Sequence, residues 1–202
     1  MAKQQFFTGI CSDDTPDSEK RFLSVVTERL IAEGYFVRSG GLKDGSVPFV
    51  AGAEASLLGA GGESSGGTPP IAVYIPWGAG GDRKAVHKVF LDIHQLHHMK
   101  TGRYAEVSSF HRDVHLSISH NRALEYETYV PALLGEDLDL KSRFMICWAP
   151  SPTFDEQKRI TDCGGCMSNA VRIAYHHGIQ IFNTVVPQHK HRLLKWITGD
   201  KR

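Results

Sequence analysis

Short apolar runs alternate along this chain with segments of helical periodicity, and several of the runs end at glycine-containing turns. The runs predict strands at residues 6–10, 35–38, 71–75, 144–148 and 178–182. Apolar residues at three- and four-residue spacing predict helices at 15–34, 49–58, 83–99 and 121–134, from the turn at 163–166 to 177, and at 191–197. Such alternation is typical of α/β proteins, in which a doubly wound, mainly parallel sheet carries helices on both faces.

The chain shows no internal repeat and no linker long enough to separate two domains, so we expect one domain over residues 1–202. Within it, the Gly- and Ser-rich stretch at 59–70 predicts a flexible surface loop. We expect Thr15 to cap the first helix, with Pro16 at its first position. Pro131 is expected to end or kink the helix over 121–134, and residues 100–118 show only a weak pattern.

The charge of the chain narrows the classes of partner. Lysine and arginine number 23 against 22 aspartate and glutamate, a formal net charge of +1, whereas proteins that coat nucleic acid are usually strongly basic. No window approaches the ~18 consecutive apolar residues of a membrane span, and the first residues show no secretory signal. Four cysteines are too few for a disulfide scaffold, so we expect a cytoplasmic protein that does not act at a membrane.

Three turns at predicted strand ends carry residues suited to ligand binding: Gly9–Ser12, Ser39–Gly41 and Cys163–Cys166. Loops at the carboxyl ends of parallel strands meet at the crevice where strand order reverses. Glycine there lets backbone N–H groups approach a phosphate, and a helix that begins directly behind adds partial positive charge. The third turn fits best, because a helix follows it at once. The alternative is that glycine only makes tight turns, and none of the three matches a Walker loop or the dinucleotide-binding glycine spacing.

Histidines and cysteines suggest metal or redox chemistry only weakly. Seven of eleven histidines fall between positions 87 and 120, and the pairs His94/His98 and His111/His115 have the spacing at which one helix face presents two rings. Cys163 and Cys166 form a Cys-x-x-Cys turn, a geometry that can lower a thiol pKa. Neither pattern completes a ligand set, so we expect no bound metal and no cofactor.

Six segments in order along the chain resemble the SLOG superfamily, in particular its small DNA-processing-protein-A-like members from phages and prokaryotes. They are FTGICSDDTP (7–16), VRSGG (37–41), VYIPW (73–77), ICWAP (146–150), AVRIA (170–174) and GIQIFN (178–183). The resemblance implies a Rossmann-like fold and a nucleotide-type ligand at the strand ends. Relatives include a single-stranded-DNA-binding recombination mediator, the lonely-guy phosphoribohydrolases and sensors of NAD-derived signals in phage defence.

The turns and the resemblance together give a set of expected ligand-binding residues. The set contains turn residues, two cations and one aromatic ring that can stack on a base: Gly9, Ser12, Arg38, Ser39, Gly40, Gly41, Trp77, Arg122, Gly164, Gly165, Cys166 and Ser168. No catalytic residue is assigned, because the chain departs from the family at polar positions. Cys166 stands where relatives have threonine, and Val171 stands where the lonely-guy enzymes carry their catalytic glutamate.

These departures favour a sensor or sequestering protein, including a phage counter-defence role, over an enzyme, and we expect it to form a homo-oligomer. One alternative is a nucleotide N-glycosidic hydrolase, for which Glu125 or Glu127 would have to supply the carboxylate. A second alternative is single-stranded DNA binding. It has the support of a short basic cluster, Lys190, Arg192 and Lys195, but not of the net charge.

Overall fold

The computed structural model of the protein describes residues 4–41, 44–59, 70–76, 90–112 and 117–199. Within these ranges the strands are β1 (Gln5–Cys11), β2 (Tyr35–Gly40), β3 (Ile71–Ile75), β4 (Phe90–Asp92), β5 (Phe144–Trp148), β6 (Thr153–Phe154), β7 (Ile160–Asp162) and β8 (Gln180–Asn183). The α-helices are α1 (Asp17–Ala32), α2 (Val47–Gly59), α3 (His97–Lys100), α4 (Arg103–Phe110), α5 (His120–Leu134), α6 (Ser168–His176) and α7 (Pro187–Thr198). Most of the loop predicted at 59–70 lies outside the described residues.

Six strands form one parallel sheet in the order β4-β3-β2-β1-β5-β8, while β6 and β7 form a separate antiparallel hairpin. The chain builds outward from β1 to β4 and then returns to the other side of β1 with β5. Strand order therefore reverses between β1 and β5, where Thr8 lies opposite Met145 and Cys11 opposite Trp148. We call this position the switch point. The predicted Rossmann-like, doubly wound fold is confirmed.

Helices cover both faces of the sheet. One buried core, which includes Leu133, joins the sheet to α4, α5 and α6, and a second core, which includes Phe49, joins it to α1, α2 and α7. Strand β1 contributes to both cores, because side chains alternate between the faces of a strand. Ile10 lies in the first core, and Phe7 and Cys11 lie in the second.

The segment predicted as a helix over 83–99 has a different structure where it is described, from residue 90 onward. Phe90–Asp92 forms the edge strand β4, Ile93–Gln95 forms one turn of 3₁₀ helix, and α-helix begins only at His97, the first residue of the short helix His97–Lys100. Ile93 is fully buried, so the apolar spacing reflects burial of a strand and a turn rather than one helix face. Helix α4 lies within 100–118, where the pattern is weak.

The structure corrects two expectations about helix ends. Helix α5 does not end at Pro131 but continues to Leu134, because proline removes one backbone donor while residues 125–134 are all buried. Thr15 does not cap α1: its hydroxyl donates to the Ser12 carbonyl at 2.6 Å, and Pro16 occupies the N-cap position. Among the described residues, no helix has the length and apolar character needed to cross a membrane.

Candidate functional site

The candidate site lies at the carboxyl ends of the strands around the switch point, and we call it the crevice. Its described residues come from four segments that are far apart in sequence: Ser12 and Asp13 after β1, Gly41 after β2, Arg122 and Glu125 in α5, and the turn Gly164–Cys166 before α6. Parallel strands that lead to helices on opposite faces leave an opening at this position. This is the position at which the sequence predicts a ligand crevice.

The end of β1 contacts the turn before α6. The Ser12 hydroxyl lies 3.7 Å from the Cys166 sulfur, although the two residues are 154 positions apart. The backbone N–H of Ser12 donates to the Trp148 carbonyl at 3.1 Å, which holds this residue against the end of β5. Ser12 and Cys166, both expected ligand-binding residues, are thus brought together at the switch point.

Helix α5 supplies a row of polar side chains at helical spacing. Arg122 pairs with the Glu125 carboxylate, and the Tyr129 hydroxyl donates to the other oxygen of that carboxylate at 2.9 Å. The Glu125 side chain is 6% exposed and that of Arg122 is 37% exposed. A Cβ atom on Gly41 would lie 4.0 Å from Glu125 Oε1, so the carboxylate stands directly over the end of β2.

Burial dominates the electrostatics of these groups. It raises the pKa of Glu125, although Arg122 and the Tyr129 hydroxyl act in the opposite direction. It also raises the pKa of the Cys166 thiol, which Ser12 and Arg122 lower and Glu125 raises further. The mutual influence of Cys166, Glu125 and Arg122 shows that they share one electrostatic environment. Burial thus holds both the carboxyl and the thiol toward their neutral forms.

The turn before α6 leaves its backbone open. Gly165 has φ of +73°, and no heavy atom would lie within 4 Å of a Cβ atom placed on it. A single turn of 3₁₀ helix, Gly165–Met167, leads directly into α6. The backbone is thus accessible at the positive end of a helix dipole, which suits an anionic ligand group.

Five of the expected ligand-binding residues have structural contacts instead. A Cβ atom on Gly9 would lie 2.1 Å from the Phe49 ring, and one on Gly40 would lie 2.7 Å from the Thr128 carbonyl oxygen. Both glycines therefore let a helix approach the sheet closely. The Ser39 hydroxyl is buried and donates to the Gly9 carbonyl at 2.6 Å.

The two remaining residues of this group also serve the fold. Arg38 is buried, lies 3.7 Å from the centre of the Phe6 ring and donates to the Leu140 carbonyl at 2.6 Å. It is therefore held beyond the end of α5, away from the crevice. Ser168 donates to Asp162 at 2.6 Å, and Asp162 also binds Arg172 through its second oxygen. The remaining expected residue, Trp77, lies outside the described residues.

The cysteines do not have the lowered thiol pKa values that a Cys-x-x-Cys turn can give. All four are free, and burial raises the pKa of Cys163 to about 12 and that of Cys11 to about 11. Among the described residues, no group of three or more His, Cys, Asp or Glu side chains is arranged to hold a metal ion; His87 and His115 are not among them.

Sequence reasoning left Glu125 without a position and missed Tyr129 and Asp13. The spacing of Arg122, Glu125 and Tyr129 on one helix was the available signal, because polar residues at i, i+3 and i+7 of a buried helix need partners. Comparisons with protein-family models, with curated proteins and with solved structures give no match to this chain. The functional proposal therefore rests on the geometry of the crevice.

Proposed function

We propose that the protein binds a nucleotide or a nucleotide-derived signalling molecule in the crevice, as a cytoplasmic sensor or sequestering protein of SLOG type. The observation that carries this proposal is the meeting of the β1 end, the open turn before α6 and the Arg122–Glu125 pair at the switch point. Ligands of doubly wound sheets bind at this topological position.

The described residues suit different parts of such a ligand. The accessible backbone at Gly165 and the side chain of Arg122, which is 37% exposed, can bind a phosphate. The Glu125 carboxylate can accept hydrogen bonds from sugar hydroxyls, as an acidic residue near the end of β2 does in many doubly wound proteins. Among the described residues of the crevice, Asp13 adds a negative charge near the Arg122–Glu125 pair, which favours a ligand with few phosphate charges over a triphosphate.

Binding is favoured over catalysis because Val171, at the position of the lonely-guy glutamate, is fully buried in the core. One observation supports the alternative of N-glycosidic hydrolysis: Glu125 places a carboxyl of raised pKa beside the crevice, and such a group can act as a general acid. The test of the proposal must therefore measure both binding and turnover.

Calorimetry with nucleoside monophosphates, cyclic dinucleotides and ADP-ribose tests the proposal. We expect Arg122→Gln to weaken binding of the recognised ligand by about tenfold, the effect of losing one charge-assisted contact. Arg103→Gln, on the exposed face of α4, is the matched control and should leave binding unchanged. Alkylation of Cys166 by iodoacetamide, followed by mass spectrometry, should slow when the ligand is bound.

Each negative result has a defined meaning. Absence of binding to every ligand class, or equal losses in the Arg122 and Arg103 variants, would refute the crevice as a nucleotide site. Release of free base that requires the protein and disappears in Glu125→Gln would instead establish the hydrolase. Thermal unfolding of each variant shows whether a loss of binding reflects a loss of folded protein.

A further inference from the structure

The outer edge of β8 is the end of the parallel sheet, and among the described residues no strand pairs with it. The backbone N–H of Thr184 donates to the Cys147 carbonyl of β5 at 2.9 Å. Because backbone groups alternate in direction along a strand, the N–H groups of Ile181 and Asn183 are on the outer side. The Asn183 N–H does donate outward, to His189 Nδ1 at 3.2 Å. The Asn183 carbonyl accepts from the Val186 N–H at 3.0 Å. The N–H and C=O groups of Ile181, a residue that is 8% exposed, therefore point to the outer edge and are the backbone groups of β8 left for a further strand.

A cavity of about 320 Å³ lies beside this edge. It is bounded on one side by the start of β8 and on the other by the β6–β7 hairpin, and its lining comprises Gly178–Ile181, Lys158, Arg159, Ile160, Tyr175 and His189. Ligand-binding cavities start at roughly 300 Å³. The space is thus large enough for a few side chains of an extended segment that runs between the hairpin and β8.

Two of the residues that line the cavity, Lys158 and Arg159 of the hairpin, are cations, and the lining residues include no carboxylate. His189 of α7 adds no positive charge, because burial and the nearby Arg192 lower its pKa and its Nδ1 accepts from the Asn183 N–H. Asp155 binds Arg159 from outside the lining, at 2.8 Å, and Arg192 stacks on Phe182 of β8 with 5.2 Å between the guanidinium carbon and the ring centre. The edge therefore favours an acidic occupant. A second copy of this chain paired through β8 would bring two basic edges together, which is unfavourable.

We propose that the outer edge of β8 binds an extended acidic peptide segment of a partner protein by strand addition. Main-chain hydrogen bonds to Ile181 supply affinity, and alternate side chains of the peptide supply specificity. An acidic residue of the peptide pairs with Lys158, and the neighbouring apolar residues contact Ile160 and Ile179. The cavity adjoins the start of β8, whereas the crevice lies at the strand ends, so this inference is independent of the proposed nucleotide site.

A fluorescein-labelled peptide of four Val-Glu repeats, acetylated and amidated at its ends, is the probe for this inference, with fluorescence anisotropy as the readout. We expect saturable binding that weakens about tenfold in Lys158→Gln, since a charge-assisted contact is lost. Lys100→Gln is the matched control, because Lys100 is exposed on α3 beyond the opposite edge strand β4. A peptide with lysine in place of glutamate, and one with alternate amides methylated, should not bind.

Hydrogen exchange locates the bound peptide. Protection of residues 179–182 on peptide addition would support strand addition at β8. Binding that is equal in wild type and Lys158→Gln, or equal for the methylated peptide, would overturn the proposal, as would absence of saturable binding. Protection of the same residues without peptide, together with a dimeric mass at rising protein concentration, would show that a second copy occupies the edge and would also overturn it.

Discussion

At the scale of single residues, the buried ion pair of Arg122 and Glu125 determines the chemistry available to the crevice. Burying a carboxylate is unfavourable unless a cation and hydrogen-bond donors surround it. Arg122 and Tyr129 provide these, yet the pKa of Glu125 is still raised, because desolvation has the larger effect. The protein therefore buries a carboxyl group whose ionised form is disfavoured even with a cation and a hydroxyl beside it.

Substitution of Glu125 by glutamine should change the pH dependence of stability. Burial raises the pKa of Glu125 in the folded protein, so the folded state takes up this proton more readily than the unfolded chain. The contribution of this group to stability is therefore complete below the unfolded pKa and is lost as the pH rises through the folded pKa. The difference in the free energy of unfolding between the wild type and Glu125→Gln (wild type minus variant) should therefore increase as the pH is lowered from about 7 to about 4.

Urea unfolding at a series of pH values measures this difference. Glu54→Gln, on an exposed position of α2, is the control for the general effect of removing one carboxylate. A difference that decreases as the pH falls would mean that Arg122 outweighs burial and lowers the pKa of Glu125.

The candidate site was only partly predictable from single residues. Ser12, Gly165 and Cys166 could be assigned to the candidate site from sequence because their turns directly follow strands or precede a helix. Arg38 fits the same pattern but serves the fold, because its guanidinium reaches Leu140, 102 positions away. Local sequence does not reveal such a partner, and for the same reason it left Glu125 unplaced.

At the scale of elements, glycine allows helices to approach the sheet. Gly9 of β1 leaves space for the Phe49 ring of α2, and Gly40 of β2 leaves space for the backbone of α5 at Thr128. From the sequence, these glycines are expected at the ends of strands, but as ligand-binding residues. The position of a glycine can be read from sequence, whereas the group that fills the space beside it depends on a distant helix.

The contact between Gly9 and Phe49 predicts a specific rescue. Gly9→Ala would place a methyl group 2.1 Å from the ring of the fully buried Phe49, and overpacking of this kind lowers the free energy of unfolding by about 1–3 kcal/mol. Phe49→Leu makes room for that methyl group. We expect the two substitutions together to lower the free energy of unfolding by less than the sum of their separate effects. The difference should be about 1 kcal/mol or more, measured by urea unfolding.

Gly178→Ala is the matched control for this cycle. Gly178 has φ of +66°, with no heavy atom within 4 Å of an added Cβ atom, so alanine there is destabilising through backbone conformation alone, by about 1 kcal/mol. Its effect should add to that of Phe49→Leu. Additivity for the Gly9 pair as well would mean that the Phe49 ring does not occupy the space beside Gly9.

At the scale of the whole molecule, alternation of apolar runs and helical patterns was sufficient to predict the fold class. Each strand–helix unit is local in sequence, and the right-handed connection between parallel strands then restricts the topology. The two-stranded hairpin and the edge strand β4 were not predicted, because strands of two or three residues give no measurable period. The position of the crevice followed from the topology, since ligands of such sheets bind where strand order reverses.

The whole-molecule charge also distinguishes a pocket for a small ligand from a surface for single-stranded DNA. The net charge is +1, and within the basic cluster Lys190 pairs with Glu19 while Arg192 stacks on Phe182. These charges are partly used by the protein itself. We therefore expect a labelled oligothymidylate to bind only in the non-specific range of roughly 10⁻⁴–10⁻⁶ M.

Fluorescence anisotropy at two salt concentrations tests this expectation. Each phosphate contact releases counterions, so affinity for a polynucleotide falls steeply with salt, whereas a small anion in the crevice makes one or two such contacts and responds less. The triple variant Lys190→Ala, Arg192→Ala and Lys195→Ala should change oligonucleotide binding little. A submicromolar affinity that collapses with salt and in this variant would show that the basic cluster, rather than the crevice, is the principal binding surface.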